Sequence, residues 1–344
     1  MYIVNSVLGD ASGGRWQVVC DYSRLLRDRG HRVVMLLSHR HRPDPGRVPE
    51  GIAVEFVSSH GHYDLWAGWR QRRRFAADPP DLAIAHCSRS VALLRRALHG
   101  RAPVLAVTHS NKVARLKIAD ACLALTPGIA ASFAEACPGK PCFVVPNMVP
   151  VDSVALPPWT PHRPVRFAAL GRFDRVKGFD VFIDALGLLH RRGVAFEARL
   201  AGEGVERPAL ERRADALGLS GRLVFPGWVE DVPEFFSQVD ILCVPARSDA
   251  FGLTPLQAAR AGIPMVLSTA SGHLDMFAPE HEALFAEVGD VRQTAGQMLR
   301  LADTPGLPER LRQSAFDKLL ACYSDRAVTD TLMNIIENNI KNVS

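Results

Sequence analysis

The strongest constraint on the fold is a repeating order of short apolar segment, glycine turn and amphipathic segment. Its first round is YIVNSVL, then SGGRW, then QVVCDYSRLLRDRG, whose apolar residues recur at helical spacing until Gly30, where a helix stop is expected. Buried strands of the same kind recur as HRVVMLLS, DLAIAHC, APVLAVTHS, DACLALT and CFVVP. Strands that alternate with helices in this way pair in parallel and carry helices on both faces of the sheet.

A proline-rich break separates two runs of this pattern. Residues 149–164, VPVDSVALPPWTPHRP, have no periodicity and are typical of a linker. The strand–helix order then restarts at VRFAALGR and continues to HEALFAEV, and SDRAVTDTLMNIIENNIK forms a last helix. The sequence therefore predicts an α/β fold with two doubly wound, Rossmann-like domains, residues 1–150 and 165–325, with a linker over 151–164. We expect them to face each other across a cleft, because ligands in such sheets bind outside the carboxyl ends of the strands.

Composition places the chain among globular proteins. A length of 344 residues suits two domains, and 47% hydrophobic with 22% charged residues is ordinary for such chains. No apolar run approaches the roughly 20 residues of a membrane helix, and MYIVNSVLGDASGG lacks the basic start and apolar stretch of a signal peptide. Seven scattered cysteines without zinc-ligand spacing favour the reducing cytoplasm.

Charge is distributed unevenly along the chain. Residues 1–150 contain 20 Lys and Arg against 11 Asp and Glu, whereas the remainder contains 21 against 25. A basic first half indicates an anionic partner. A membrane surface and a phosphorylated acceptor both fit this charge, and nucleic acid is disfavoured because no recognised binding module is present.

Two cations follow the first strand of the second domain. In LGRFDRVKGFD, residues 170–180, Gly171 and Arg172 end a strand, and Lys177 and Gly178 precede a helix. Cations on such a loop, beside a helix N-terminus, suit a diphosphate, although a solvated basic turn has the same composition.

Two further glycine stretches follow strands. AGEG, residues 201–204, contains Gly202, and SGG, residues 12–14, contains Gly13 and Gly14. Glycine lets a ligand approach the backbone, but a plain loop turn has the same composition. Neither stretch completes a dinucleotide-binding fingerprint, so a dehydrogenase is not predicted.

The stretch SDAFGLTPLQAARAGIP, residues 248–264, opens a short helix. Thr254, Pro255 and Gln257 have the spacing of a capping box, with Thr254 as the N-cap. Capping accounts for Gln257 without any ligand. It does not account for Asp249, whose carboxylate next to a helix N-terminus suits a site for phosphate and nearby hydroxyls.

The segment YDLWAGWRQRRRFAADPPD, residues 63–81, combines aromatic and basic residues at helical spacing. Such a helix can dock on an anionic membrane through its aromatic and arginine side chains. Alternatively, Leu65, Trp69 and Phe75 pack it on the sheet and the arginines lie in water. The sequence leaves both interpretations open.

In this order, the stretches resemble the large family of retaining GT-B glycosyltransferases, group 1 or family 4-like. LGRFDRVKGFD resembles its GR…KG loop, AGEG its GxG turn, and VVPNMV the PNGV that closes its first domain. Residues 225–266 resemble its E-x7-E signature, with Asp249 and Gln257 in place of the two glutamates. DLAIAHCS and VLAVTHSN resemble two strand ends that carry His86 and His109. The match spans nearly the whole chain, and it implies a final helix, 326–344, that crosses back to the first domain.

The resemblance implies a donor site with a catalytic set of Arg172, Lys177, His109 and Asp249. Arg172 and Lys177 would hold the donor's diphosphate, Asp249 would contact hydroxyls of the transferred sugar, and Gln257 would contact the ribose. His109 would sit beside the sugar, whereas His86 is interpreted as structural or supporting. The other donor-binding positions would be Gly13, Gly14, Gly171, Gly202, Trp228, Val229, Glu230, Phe251, Gly252, Leu253 and Thr254.

The resemblance also implies a reaction. The sugar of a nucleotide-sugar, with a UDP-sugar preferred, would pass with retention to a cell-envelope glycan or lipid-linked acceptor. No D-x-D occurs, so no metal or other cofactor is expected, and cations would stabilise the leaving diphosphate. We expect a cytoplasmic protein, peripheral at the inner face of the membrane. The alternatives are a sugar-nucleotide 2-epimerase of the same architecture and an inactive nucleotide-sugar-binding relative, which the departures at Asp249 and Gln257 would suit.

Overall fold

The structure is a computed structural model that describes residues 1–9, 13–110, 113–151, 153 and 155–340, with residues 339 and 340 described in their backbone alone. It divides into two compact units, Met1–Met148 with the segment from Asp325 onward, and Val149–Ser324. Each is treated by itself below. Of the predicted features, Ser12 of the SGG stretch, positions 152 and 154 of the linker and residues 341–344 of the last helix lie outside the described residues.

The N-terminal unit has a seven-stranded, wholly parallel sheet of order β3-β2-β1-β4-β5-β6-β7. Its strands are β1 (Tyr2–Val7), β2 (Arg32–Ser38), β3 (Ala53–Val57), β4 (Leu82–Ala85), β5 (Val104–Val107), β6 (Ala121–Ala124) and β7 (Cys142–Val144). Its first four helices are α1 (Gly13–Asp28), α2 (Leu65–Ala77), α3 (Ser88–Leu98) and α4 (Pro127–Ala136). The central strands β4 to β6 are buried throughout, as strands covered on both faces must be.

The C-terminal unit repeats the architecture with six parallel strands in the order β10-β9-β8-β11-β12-β13. The strands are β8 (Val165–Leu170), β9 (Phe196–Ala201), β10 (Leu223–Val224), β11 (Ile241–Val244), β12 (Met265–Ser268) and β13 (Leu284–Ala286). The helices are α5 (Phe179–Arg191), α6 (Arg207–Ala216), α7 (Val232–Ser237), α8 (Leu253–Arg260), α9 (Ser271–Met276), α10 (Val291–Asp303) and α11 (Leu307–Lys318). A buried apolar cluster centred on Phe167, Phe182 and Leu186 packs α5 and α10 on one face of this sheet.

In both sheets the strand order reverses direction at one place. The reversal lies between β1 and β4 in the N-terminal unit and between β8 and β11 in the C-terminal unit. Loops that leave the carboxyl ends of the two strands diverge there, and the crevice between them is where ligands of open α/β sheets bind.

The predicted linker is packed on the C-terminal unit in the part that the structure describes. Trp159 donates its indole N–H to the carbonyl of Asp240 at 3.2 Å, and the backbone N–H of His162 donates to the Asp240 carboxylate at 3.1 Å. Asp240 is only 1% exposed, so the N–H of His162 satisfies a buried carboxylate, while Trp159 satisfies the backbone carbonyl. Arg312 of α11 also donates to the carbonyl of Pro157. The segment is therefore structurally part of this unit.

After Ser324 the chain returns to the N-terminal unit. The last α-helix, α12 (Asp325–Ile335), packs there and is followed by a π-helical turn, Ile336–Ile340. Asp330 of α12 pairs with Arg29 at 2.6 Å, just beyond α1. Val328 and Leu332 are buried, so an apolar face fixes the helix.

Three sequence expectations differ from the structure. The short edge strand β3 was not predicted, because the charge of Glu55 interrupts its apolar pattern. The SGGRW stretch, predicted as a turn, already belongs to α1 from Gly13 onward. The capping box predicted at Thr254 is also wrong, because α8 already begins at Leu253.

Helix α2 does not pack on the sheet in the way that its aromatic residues suggested. Phe75 is buried, but Leu65 and Trp69 are 69% and 49% exposed. The face that packs on α3 instead holds small residues, Ala67 and Gly68, together with Gln71. Among the described residues, no helix has the length and apolar character needed to span a bilayer.

We expect Gly202→Ala to destabilise the C-terminal unit. Gly202 has φ +139°, and a Cβ at this position would stand 1.8 Å from the carbonyl oxygen of Gly171. Backbone strain and overpacking should together lower the free energy of unfolding by at least about 2 kcal/mol, which urea titration would measure. Gly296→Ala is the matched control, because it lies in α10 with open space around its Cα. Equal stabilities of the two variants would contradict the contact between these two loops.

Candidate functional site

The Lys177 loop is fixed by the loop that follows the neighbouring strand. After β8, a 3-10 turn over Arg175–Lys177 ends at Gly178, whose φ is +67°. A Cβ on Gly178 would stand 2.1 Å from the carbonyl oxygen of Pro245, so only glycine permits this approach. The backbone N–H of Arg247 donates to Val176 O at 2.8 Å. The two loops on either side of the reversal point are thus joined through backbone.

A partly exposed ion pair between Arg247 and Asp180 also holds this turn. The Arg247 guanidinium donates to both carboxylate oxygens of Asp180 at 2.7 Å and to the carbonyl of Arg175 at 3.2 Å. Bidentate pairs fix geometry as well as charge. Neither Arg247 nor Asp180 was predicted as a site residue, although both lie within three residues of one that was.

Lys177 and Asp249 form an ion pair across the reversal point. The Lys177 Nζ donates to Asp249 Oδ2 at 2.7 Å, and the side chains are 28% and 13% exposed. Burial acts to raise the pKa of Asp249, but the charge and hydrogen bond of Lys177, with a smaller contribution from His273, hold that pKa below its ordinary value. Asp249 is therefore ionised at neutral pH, and the two predicted catalytic residues are brought together.

His273 is a further polar residue beside this pair that sequence reasoning missed. It is fully buried in α9, and its Nδ1 lies 3.1 Å from the carbonyl of Ser268. Burial lowers the pKa of His273, while the nearby Asp249 acts in the opposite direction. The neighbouring Gly272 donates its N–H to the carbonyl of Asp249 at 3.2 Å. The sequence did contain a signal for His273, because this residue follows β12 at the same edge of the sheet.

The N-terminus of α8 points into this group without a side-chain cap. The helix begins at Leu253, its N-cap is Gly252 with φ +88°, and no side chain accepts from its first turn. The predicted capping box is therefore wrong, because Thr254 lies inside the helix and its hydroxyl instead reaches the carbonyl of Leu170 at 3.5 Å. The half-exposed side chain of Gln257 has no hydrogen-bond partner among the described residues. It is thus available to a ligand.

The remaining predicted donor residues differ in their exposure and in the part of the unit where they lie. Arg172 lies 71% exposed on the Lys177 loop and pairs with Asp174 at 2.8 Å. The ring of Phe251 is buried against Tyr323, at 5.8 Å between centroids, so only its backbone can meet a ligand. Six other positions lie on loops at the carboxyl edge of the sheet, where Gly202 donates to the carbonyl of Gly227 at 2.7 Å and Trp228 is 52% exposed. They are Gly171, Gly202, Trp228, Val229, Glu230 and Gly252, and the last two predicted positions, Leu253 and Thr254, form the first turn of α8.

The predicted residues of the N-terminal unit lie at its reversal point and at the end of the adjoining strand β5. Gly13 and Gly14 open α1 after β1, and His109 follows β5. His109 Nε2 lies 3.0 Å from His86 Nδ1, so His86 supports His109 directly. Burial and the charge of Arg15 lower the pKa of His109 to about 3, and both imidazoles are uncharged at neutral pH.

Metal binding has no obvious place in the part of the chain that the structure describes. Within residues 1–9, 13–110, 113–151, 153 and 155–340, no group of three or more His, Cys, Asp or Glu is arranged to hold an ion. Positive charge at the C-terminal reversal point comes from Lys177 and Arg172.

Two family models match the sequence, one after the other. Residues 12–153 match the family described as Glycosyltransferase Family 4, and residues 160–318 match the family described as Glycosyl transferases group 1. The chain carries two glycosyltransferase domains. The predicted family and the predicted enzyme class are confirmed at the level of these domains.

Two relatives of these glycosyltransferase domains are lipopolysaccharide core biosynthesis glycosyltransferases of Rhizobium meliloti (strain 1021). LpsD is 28% identical over 212 residues, which cover 62% of this chain and 57% of LpsD. LpsE is 26% identical over 234 residues, which cover 66% of this chain and 67% of LpsE. The chain thus matches about three fifths to two thirds of the length of these relatives.

The fold matches solved GT-B glycosyltransferases. The crystal structure of Anabaena HepE in complex with UDP and glucose has a TM-score of 0.80 at 17% identity, and the match covers 98% of this chain and 100% of HepE. The predicted fold class, two parallel-sheet Rossmann-like domains of the GT-B type, is confirmed.

We expect Lys177→Met to raise the pKa of Asp249, because burial remains when the neighbouring charge is gone. The ionised carboxylate stabilises the fold above its unfolded pKa, and this contribution disappears as the pH falls through the depressed folded pKa. In the variant, where the charge of Lys177 no longer offsets burial, the ionised carboxylate should contribute less to the stability of the fold. Carboxyl-carbon NMR titration of Asp249 measures the shift. Arg172→Met, which removes an exposed cation paired elsewhere, should leave that pKa unchanged; the same rise in both variants would contradict the pairing.

Proposed function

We propose that this protein is a retaining glycosyltransferase that moves a sugar from a nucleotide-sugar, preferably a UDP-sugar, to a cell-envelope glycan or lipid-linked acceptor without a divalent metal. One observation carries the proposal. The Lys177–Asp249 ion pair stands next to the uncapped N-terminus of α8, at the reversal point between β8 and β11. A cation, backbone donors and a carboxylate at that place suit a diphosphate and sugar hydroxyls together.

The proposed chemistry requires stabilisation of a leaving diphosphate. Lys177 would exchange Asp249 for a diphosphate oxygen, and Arg172 is exposed enough to turn toward the same group. The free N–H groups from Gly252 to Thr254 add the positive end of α8. Charges that are fixed before the reaction act where negative charge develops, and this usually supplies the largest single share of such catalysis.

The transfer itself needs no nucleophile from the protein. The bond between the anomeric carbon and the diphosphate oxygen breaks while a bond to the acceptor oxygen forms on the same face of the sugar. The acceptor hydroxyl's proton passes to the departing diphosphate. Asp249, kept ionised by Lys177, would accept hydrogen bonds from the sugar, and Gln257 would bond to the ribose. The role that the resemblance implies for His109 stays a prediction.

The names of the relatives support the acceptor class. LpsD and LpsE are named for lipopolysaccharide core biosynthesis, and HepE was crystallised with UDP and glucose. The named relatives transfer sugars, which disfavours the 2-epimerase alternative. An inactive binding protein remains the alternative for the experiment to separate, because both would bind a nucleotide.

The exposed face of α2 supports a peripheral membrane location on the cytoplasmic side. Tyr63, Leu65 and Trp66 are 87%, 69% and 74% exposed, and Trp66 stacks edge-on against Trp69 at 5.9 Å. Arg73 lies over the Trp69 ring at 4.9 Å. Exposed aromatic rings beside arginines on one helix are the composition that inserts at an anionic lipid interface.

We expect UDP to stabilise the protein against heat more than GDP, ADP or CMP does. We also expect Lys177→Ala to lower the rate of sugar transfer by roughly 10²- to 10³-fold. The assay uses the responding nucleotide-sugar with and without a lipid extract. Lys318→Ala, which removes a lysine paired with Glu282 in the same unit, is the control and should keep full turnover. Stabilisation without turnover would favour an inactive binder, and no stabilisation by any nucleotide would reject the donor site.

We expect Arg72→Glu/Arg73→Glu to weaken binding to phosphatidylglycerol vesicles by about tenfold or more. Each arginine near an anionic surface contributes about 1 kcal/mol, and reversal also adds repulsion. Trp66→Ala should weaken binding through lost insertion, and it should do so at high salt too. Arg191→Glu/Arg192→Glu makes the same charge change at the exposed end of α5. If both pairs have the same effect, α2 is not the docking surface.

A further inference from the structure

Three arginines gather at the reversal point of the N-terminal sheet. Arg15 Nη1 and Arg89 Nη2 lie 3.2 and 3.8 Å from the place where a Cβ on Gly9 would stand, so two guanidinium groups converge on one point of the backbone. Arg115 lies in the 3-10 turn Ala114–Leu116, which packs against α3, the helix that contains Arg89. Within the described residues, none of the three arginines has a carboxylate or hydrogen-bond partner.

The fold places these arginines together. Arg15 is in the first turn of α1, which follows β1, and Arg89 is in the first turn of α3, which follows β4. The hydroxyl of Ser90 accepts from the backbone N–H of Leu8 at 3.0 Å and ties the start of α3 to the end of β1. Both helices are long enough to present a positive N-terminus, and α3 has no side-chain cap. Anions bind where such helix ends and cations meet.

His62 lies beside the arginines. Burial lowers its pKa, and Arg115, Arg89 and Arg96 lower it further. Its Nε2 lies 2.8 Å from Ser88 Oγ, and Arg96 donates to its backbone carbonyl. His62 is therefore an uncharged hydrogen-bonding group at the rim of the arginine cluster.

Cations at the reversal point of the C-terminal unit are paired with carboxylates. In the C-terminal unit, Lys177 pairs with Asp249 and Arg247 pairs with Asp180. In the N-terminal unit, several arginines elsewhere are also paired, for example Arg95 with Asp120 at 2.6 Å. Guanidinium groups that converge without a counter-ion repel one another, and a multiply charged anion would remove that repulsion.

We propose that Arg15, Arg89 and Arg115, with His62 at the rim, bind a phosphate monoester carried by the acceptor. The proposal rests on the proposed function, because it names the chemical class of the acceptor. A phosphate offers oxygens for forked bonds from two guanidinium groups and for both helix ends. His62 lies three residues before α2 and next to the exposed Tyr63, so the phosphate site adjoins the surface that we propose docks on lipid.

The test titrates inorganic phosphate into the full chain at constant ionic strength, with UDP at saturation throughout. Arginine Nε–Hε resonances of Arg15, Arg89 and Arg115 should shift together. Arg89→Gln/Arg115→Gln should weaken phosphate binding by at least about tenfold, since charge-assisted bonds are lost. Arg191→Gln/Arg192→Gln should leave it unchanged. Equal affinities in the two double variants would overturn the proposal.

Separate readouts distinguish this site from the donor site. UDP should stabilise Arg89→Gln/Arg115→Gln as it stabilises the unchanged protein. If UDP does not stabilise the unchanged protein, the proposed function alone is rejected. If phosphate binds in a titration without UDP but not at saturating UDP, the arginines belong to the donor site and the acceptor site is overturned. Vesicles of phosphatidylcholine with phosphatidic acid identify the source. A double variant that loses phosphate but keeps vesicle binding indicates a phosphorylated sugar, whereas loss of both indicates a lipid phosphate.

Discussion

The geometry of the candidate donor site depends on β11 pairing with β8. Ile241 lies opposite Phe167 and Leu242 opposite Ala168, although more than 70 residues separate them in sequence. This pairing brings the loop after β8 beside the loop after β11, so that Lys177 meets Asp249 and the carbonyl of Pro245 meets Gly178. A different strand order would leave the same residues on separated loops. The site is thus a consequence of topology before it is a consequence of side chains.

Periodicity predicted the sheets because parallel strands are buried on both faces and are therefore nearly continuous in their apolar residues. The edge strand β3 escaped this pattern, since an edge tolerates the charge of Glu55. For α2, helical spacing of aromatic residues suggested a core face. In the structure, Ala67 and Gly68 pack on α3, and Trp66 and Trp69 are exposed while only Phe75 is buried.

Short motifs identified the loops of the site but not its internal contacts. The capping pattern at Thr254 fitted a helix that starts two residues later than the observed one, whose N-cap is Gly252 at positive φ. His273 and Arg247 act through partners 20 or more residues away in sequence, namely Asp249 and Asp180. Local spacing contains no information about such contacts. Sequence therefore predicted Lys177 and Asp249 as individual residues, and the fold supplies their pairing.

The Lys177–Asp249 pair has a consequence for the order of events at the proposed donor site. In the free protein the carboxylate serves as the counter-ion of the lysine. A complete nucleotide-sugar replaces both halves of the pair, with phosphate for Lys177 and hydroxyls for Asp249. A spent nucleotide replaces only the first half and leaves a largely buried carboxylate without a partner, which is costly. The internal ion pair would therefore act as a competitor that expels the product after each turnover while admitting the next donor.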